Sequence, residues 1–255
     1  MAGNNGKFIW YELMTGDTKA AETFYHNVIG WKTTDSGMAD RSYTIIHAGE
    51  TPIGGILGTP PQATGMPPNW SGYVGVDDVD GYAGRVKQAG GSMMYGPEDI
   101  PGVGRFAVVS DPGGAVFVLF RGSGNMPPVT PAPHSPGQVG WRELFAADGE
   151  KAWEFYSSLF GWKKLDAMDM GPMGKYQLFA TEEAMDGGMM TKPPQIPHPF
   201  WLFYFHVDAV DAAAERVKAN GGKILMGPAE VPGGTWILQC SDPQGAVFAL
   251  MSAHR

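Results

Sequence analysis

The feature that most constrains this chain is that it is written twice. At an offset of 131 residues, 8–32 lies on 139–163 with ten identities in 25 positions, and 76–120 lies on 207–251 with 22 identities in 45. The shared residues include W-x-E-L, Phe-Tyr and the closing Gly-Trp-Lys in the first pair of segments, and V-D-x-V-D, Gly-Pro and S-D-P-x-G-A-V-F-x-L in the second. A constant offset on both sides of a divergent middle means that one ancestral domain was duplicated whole. The period is far longer than the ~20 to 50 residues of stacked repeats, so tandem domains are expected, not a solenoid. The proline-rich stretch 121–138, RGSGNMPPVTPAPHSPGQ, has no apolar periodicity and reads as an extended connector. It separates a first domain, 1–120, from a second, 139–255, and is the expected site of first proteolytic cleavage.

A chain of 255 residues has room for two domains that each bury a core without disulfides. Apolar residues make up 43% and charged residues 17%, the balance of a globular protein. With a net charge of −8 and scattered Lys and Arg, neither nucleic acid nor an anionic membrane is an expected partner, which leaves a small-molecule ligand bound by a monomer or homodimer. Cys240 stands alone in the apolar run 235–240 and reads as a buried, inert thiol. No apolar stretch has the ~18 residues of a membrane span and 1–7 lacks a signal-peptide profile, so the expectation is a cytoplasmic protein.

Within each half the pattern repeats again. Ile9, Tyr11 and Leu13 alternate with Trp10 and Glu12, as in a strand with two unlike faces. Asp17 caps a helix that places Ala21, Phe24, Tyr25 and Val28 on one side, and Gly30 ends it. Strands follow near 43–47 and 52–57, then 73–76, then a helix with Val79, Ala83 and Val86 inward that stops at Gly90-Gly91. Strands 105–109 and 115–120 meet at an Asp-Pro-Gly-Gly turn. Each half is read as β-α-β-β-β taken twice, an α+β chain.

That order, with F-Y-x-x-x-x-G-W after the first helix, V-D-D-V-D before the second and S-D-P-x-G before the last strand, resembles the vicinal oxygen chelate superfamily, the group of glyoxalases, bleomycin-resistance proteins and extradiol dioxygenases. The resemblance implies a tandem duplication of a glyoxalase-like domain, each built from two βαβββ modules that form a cup-shaped half-barrel. It implies no single activity, because the fold hosts lyases, isomerases, epimerases, oxygenases and metal-free drug-binding proteins. Family members bind a divalent metal through His, Gln or Glu on three or four inward positions, where imidazole and carboxylate hold Zn, Ni or Fe while a substrate completes the shell. Carried onto this sequence, those positions are Trp10, Ser71 and Val118 in the first half and Trp141, Leu202 and Ala249 in the second, with a fourth near 54–56 or 187–189. None is a good ligand, and a one-residue shift on the middle strand rescues nothing. No metal cofactor is expected; a divalent metal bound elsewhere, through His47, His134, His198, His206 or His254, is the alternative.

Strand parity places Glu12 beside Trp10 and Glu143 beside Trp141, Tyr73 beside Ser71, and Tyr204 and His206 beside Leu202, with Phe120 and Met251 closing the same surfaces. Aromatic walls with a few polar groups suit a small-molecule pocket. Trp10, Glu12, Ser71, Tyr73, Phe120, Trp141 and Met251 are the expected ligand-binding residues. The two glutamates are either general bases and ligand anchors or braces that tie modules together. His206 has Gly75 as its counterpart in the other copy, and that asymmetry makes Glu143, Tyr204 and His206 the expected catalytic set in the case of an enzyme. Two functions follow: a metal-independent binder of a small, largely apolar metabolite, or a glyoxalase-like lyase or isomerase, or a ring-cleaving dioxygenase or hydroxylase.

Overall fold

The computed structural model describes residues 5–38, 42–124, 135–182 and 185–255; positions 125–134 of the connector, His134 among them, lie outside the described residues. Strand β1 (Phe8–Thr15) buries Tyr11, Leu13 and Thr15 and leaves Trp10, Glu12 and Met14 half-buried on its other face, the alternation a pleated strand imposes. The Asp17 carboxylate accepts the Ala20 N–H at 3.0 Å and so starts α1 (Thr18–Ile29), which ends at Gly30 with φ 90°. Three strands complete the module: β2 (Lys32–Asp35), β3 (Tyr43–Ala48) and β4 (Thr51–Gly58). A second module follows as β5 (Asn69–Gly75), α2 (Val79–Gln88), β6 (Ser92–Ile100), β7 (Gly104–Ser110) and β8 (Val116–Gly122). The second copy repeats both: β9 (Val139–Ala146), α3 (Gly149–Phe160), β10 (Lys163–Asp169), β11 (Lys175–Ala180) and β12 (Met185–Thr191), then β13 (Phe200–His206), α4 (Val210–Ala219), β14 (Lys223–Val231), β15 (Thr235–Ser241) and β16 (Val247–Ser252).

The strands that hydrophobic alternation fails to mark are β2 and β6 and their counterparts β10 and β14. All four lie at sheet edges and are largely exposed, and Pro97 and Pro228 sit inside β6 and β14. An edge strand with one unpaired side needs no apolar face and tolerates proline.

Each copy makes one eight-stranded sheet, in the orders β2-β3-β4-β1-β5-β8-β7-β6 and β10-β11-β12-β9-β13-β16-β15-β14. Both sheets stay open as cup-shaped half-barrels of two βαβββ modules. The described residues also fall into two compact units, one drawn from 1–9, 71–128 and 141–201 and the other from 10–70, 129–140 and 202–255. Each unit thus packs one module of the first copy against one module of the second.

Matching relays hold each unit together. In one, the indole of Trp70 donates to the Tyr25 hydroxyl at 3.0 Å and that hydroxyl donates to Asp242 at 3.2 Å. In the other, Trp201 donates to Tyr156 at 3.0 Å and Tyr156 donates to Asp111 at 3.3 Å. Each aspartate also accepts a backbone N–H, from Ala246 or Ala115, at 2.9 Å. Burial, reinforced by the neighbouring carboxylate, holds both tyrosines well above the usual phenol range, so they remain proton donors. The sequence assigns these two aspartates to hairpin turns alone; the structure gives them buried partners in the other copy.

The clasp is doubled by backbone contacts. Trp31 donates to the Gly137 carbonyl at 2.9 Å and Trp162 to the Gly6 carbonyl at 2.7 Å. Arg216 reaches the Val28 carbonyl at 2.9 Å and Arg85 the Leu159 carbonyl at 2.8 Å, capping the last turns of α1 and α3. Cys240 is fully buried, and burial pushes its thiol up to about 12, as an inert core residue requires.

Candidate functional site

The half-buried faces of β1 and β9 carry the same construction. On β1 the Trp10 indole donates to the Tyr43 hydroxyl at 2.8 Å, and on β9 the Trp141 indole donates to the Tyr176 hydroxyl at 2.8 Å. Tyr176 donates in turn to Glu143, whose side chain is buried. Burial first, and then the negative charge of Glu143, hold Tyr176 well above the usual phenol range, so it serves Glu143 as a donor at any physiological pH. Glu143 therefore has a buried tyrosine partner within its own module.

These tyrosines reach β1 and β9 because the strand between carries glycine. Gly55 pairs with Glu12, and Gly188 with Glu143, across the parallel ladders β1–β4 and β9–β12. A Cβ on either glycine would fall on the tyrosine ring, with several ring atoms of Tyr43 or Tyr176 under 3 Å away. Glycine here supplies space, not a special φ. Sequence reasoning missed both tyrosines. The available signal was that Tyr43 to Tyr176 and Gly55 to Gly188 are both offset by 133 residues, two more than the flanking repeats.

On the second modules the copies diverge. In the first, Tyr73 pairs with Val118 and stands 5.9 Å from the Phe120 ring, centroid to centroid, and Ser71 is half-buried on the same strand. In the second, Tyr204 pairs with Ala249 and His206 with Met251. The Tyr204 hydroxyl accepts the Gln239 amide at 2.8 Å. His206 is buried, exchanges backbone hydrogen bonds with Gly137 and Gln138, and lies so close to Gly140 that a Cβ there would sit 2.3 Å from its Nε2. Of the expected residues, the structure thus groups Trp141 with Glu143 through Tyr176, Tyr73 with Phe120, and Tyr204, His206 and Met251 on neighbouring strands.

The residues at the family's metal positions do not fit a divalent cation. Trp10 and Trp141 offer only an indole N–H, which donates, and Val118, Leu202 and Ala249 have no donor atom. Ser71 supplies one neutral hydroxyl. The strand segments of the fourth position, around Gly55 and Gly188, are roofed by tyrosine rings. Among the described residues, no group of three or more His, Cys, Asp or Glu is placed to hold an ion, and the His47 imidazole is engaged with Thr34 at 3.0 Å. No helix among the described residues is long and apolar enough to cross a membrane.

A polar cavity of about 280 Å³ lies between α1 and the β2–β3 hairpin, with Tyr43 among its lining residues. Its Glu22 carboxylate is already engaged by Lys19 and Thr44, both at 3.0 Å.

The sequence and the fold have known counterparts. The model of the Glyoxalase/Bleomycin resistance protein/Dioxygenase superfamily matches residues 7–119 and 138–250. A candidate glyoxylase, CFP32 of Mycobacterium bovis, is 32% identical over 246 residues, covering 95% of this chain and 93% of the relative. The anthracycline biosynthesis protein DnrV of Streptomyces peucetius is 31% identical over 264 residues, covering 95% and 91%. Among solved structures, the Mn(II)-bound glyoxalase of Novosphingobium aromaticivorans superposes with a TM-score of 0.68 at 17% identity, covering 99% of this chain and 83% of that one. The 2,3-dioxygenase LapB of Pseudomonas sp. KL28 gives 0.68 at 13% identity, covering 98% and 93%. Two matched repeats and two open sheets of paired βαβββ modules place the chain in the glyoxalase, bleomycin-resistance and dioxygenase superfamily, as a tandem-duplicated member.

Proposed function

We propose that the protein binds a small, largely apolar and aromatic metabolite against the inner faces of its sheets, without the divalent metal of its relatives. The observation that carries this reading is the residue set at the family's ligand positions: Trp10, Ser71, Val118, Trp141, Leu202 and Ala249. Indole and alkyl groups there favour an aromatic or hydrocarbon surface over a cation. Two relatives are named for anthracycline biosynthesis, and anthracyclines are planar polycyclic aromatics. The tyrosine bond to Glu143 supports a bracing role for that carboxylate. A second reading, metal-free proton transfer with His206 as base and Glu143 and Tyr204 in support, draws on one asymmetry: the first copy has Gly75 in place of His206.

Native mass spectrometry of protein purified without added ligand tests the binding reading. A co-purifying aromatic molecule is expected to stay bound through dialysis against EDTA and to be lost from Trp10→Ala and Trp141→Ala. Release of that molecule by EDTA alone would sink the metal-free reading.

A further inference from the structure

The two copies present different chemistry on the same three strands of their second modules. In the second copy the register runs Tyr204–Ala249–Gln239 across β13, β16 and β15, with His206–Met251–Ile237 as the next row. The equivalent rows of the first copy are Tyr73–Val118–Val108 and Gly75–Phe120–Phe106. A tyrosine stands at the head of the first row in both. Beyond it, the first copy is aliphatic and aromatic throughout, whereas the second has exchanged valine for an amide, glycine for an imidazole and phenylalanine for methionine.

The exchange at Gln239 is not required by the fold, because Val108 fills the same register position between the same strands. Nor is it a solvent-facing change, since Gln239 is only half-buried and its amide is directed onto the Tyr204 hydroxyl at 2.8 Å. That bond passes over Ala249, which is two methyl groups smaller than the Val118 at its counterpart position. Tyr204 and Ala249 are buried, so the pair meets the face of the sheet through the half-buried Gln239. Its neighbour is adaptable as well: Met251 and the His206 ring both close on Gly140, where any Cβ would strike them. Polar groups on an otherwise apolar surface penalise a ligand that covers them without replacing their hydrogen bonds.

Resting on the proposed ligand-binding reading, we infer that Gln239 is a specificity-determining residue: with Tyr204 it forms a polar spot that selects an aromatic ligand carrying a hydroxyl or carbonyl oxygen in the second copy. The first copy, with Val108 and Phe120, takes aromatic surface without that requirement.

The test uses full-length protein with 13C-methyl-labelled methionine, the Met251 resonance being assigned by Met251→Leu. Two probes of nearly equal shape are titrated separately, 2-naphthol and 2-methylnaphthalene, so that only the oxygen differs. The wild type is expected to bind 2-naphthol at least about five-fold more tightly at the Met251 methyl, since a site with polar groups discriminates against a partner that lacks the complement. Gln239→Val, which copies the first repeat, should bring the two affinities within about two-fold while both probes still move Met251. Tyr204→Phe should collapse the preference in the same way and stands in for Gln239→Val in case that variant does not fold. Equal affinities in the wild type, or a preference that survives both substitutions, would overturn the assignment of Gln239 and leave ligand binding intact. If neither probe moves Met251, the binding reading and this inference fall together.

Discussion

Replacing Asp111 or Asp242 with alanine is expected to lower stability by roughly 2 to 4 kcal/mol in each case, the largest effect predicted for any polar substitution in the chain. Each carboxylate accepts a tyrosine hydroxyl from the other copy and a backbone N–H of its own turn. Alanine leaves those buried donors without an acceptor and strands the tryptophan–tyrosine pair behind them. Tyr25→Phe or Tyr156→Phe should cost less, about 1 to 2 kcal/mol, because the carboxylate keeps its backbone donors. Urea midpoints at constant slope would measure the difference.

The sign of the pH dependence is also fixed. Burial raises both aspartates above their usual range, despite the donors around them. A raised carboxyl favours the folded state most at pH values below the unfolded pKa of about 3.9, and that contribution fades as pH rises through the higher folded value. Asp→Asn variants should lose this slope. Aspartates that become no more stabilising under acid than their Asn replacements would show that the clasp is not desolvated as described.

Gly188→Val is the second large effect. Its side chain would occupy the space of the Tyr176 ring and hydroxyl, which already fill the position of a Cβ on Gly188. Expelling the ring removes a buried aromatic and takes the hydrogen-bond partner from both Trp141 and Glu143. Overpacking of this kind costs about 1 to 3 kcal/mol, and stranded polar groups add a similar amount, so the variant should be destabilised by more than about 3 kcal/mol or fail to accumulate. A double-mutant cycle isolates the cause. In a Tyr176→Ala background, Gly188→Ala should lose most of its cost, giving a coupling of about 1 to 3 kcal/mol; additivity would mean the glycine is there for another reason.

These residues also mark how far sequence carries the account. The duplication, the Asp17 and Gly30 caps of α1 and the two-faced pattern of β1 were legible because each is a local matter of spacing and residue type. The edge strands β2 and β6 were not, since neither needs an apolar face. Asp111 and Asp242 looked like turn residues because a turn is what their neighbours Pro112 and Pro243 announce; their tyrosine partners are 45 and 217 residues away in sequence. Tyr43 and Tyr176 were hidden by the shifted offset of the divergent middle. Gln239 was overlooked for a different reason: the 131-residue offset already lays it on Val108, but its importance lies in the bond to Tyr204, 35 residues away, which only the register of β13, β16 and β15 brings within reach.

The central claim, a family fold whose metal positions have been given over to aromatic and alkyl groups, is tested most directly by metal analysis of protein purified without chelator, paired with a melting curve before and after EDTA. The expected result is far less than one equivalent of Mn, Zn, Ni or Fe per chain and an unchanged melting temperature, because removing a tightly bound ion would lower stability by mass action. A near-stoichiometric metal whose removal lowers the melting temperature would contradict the account.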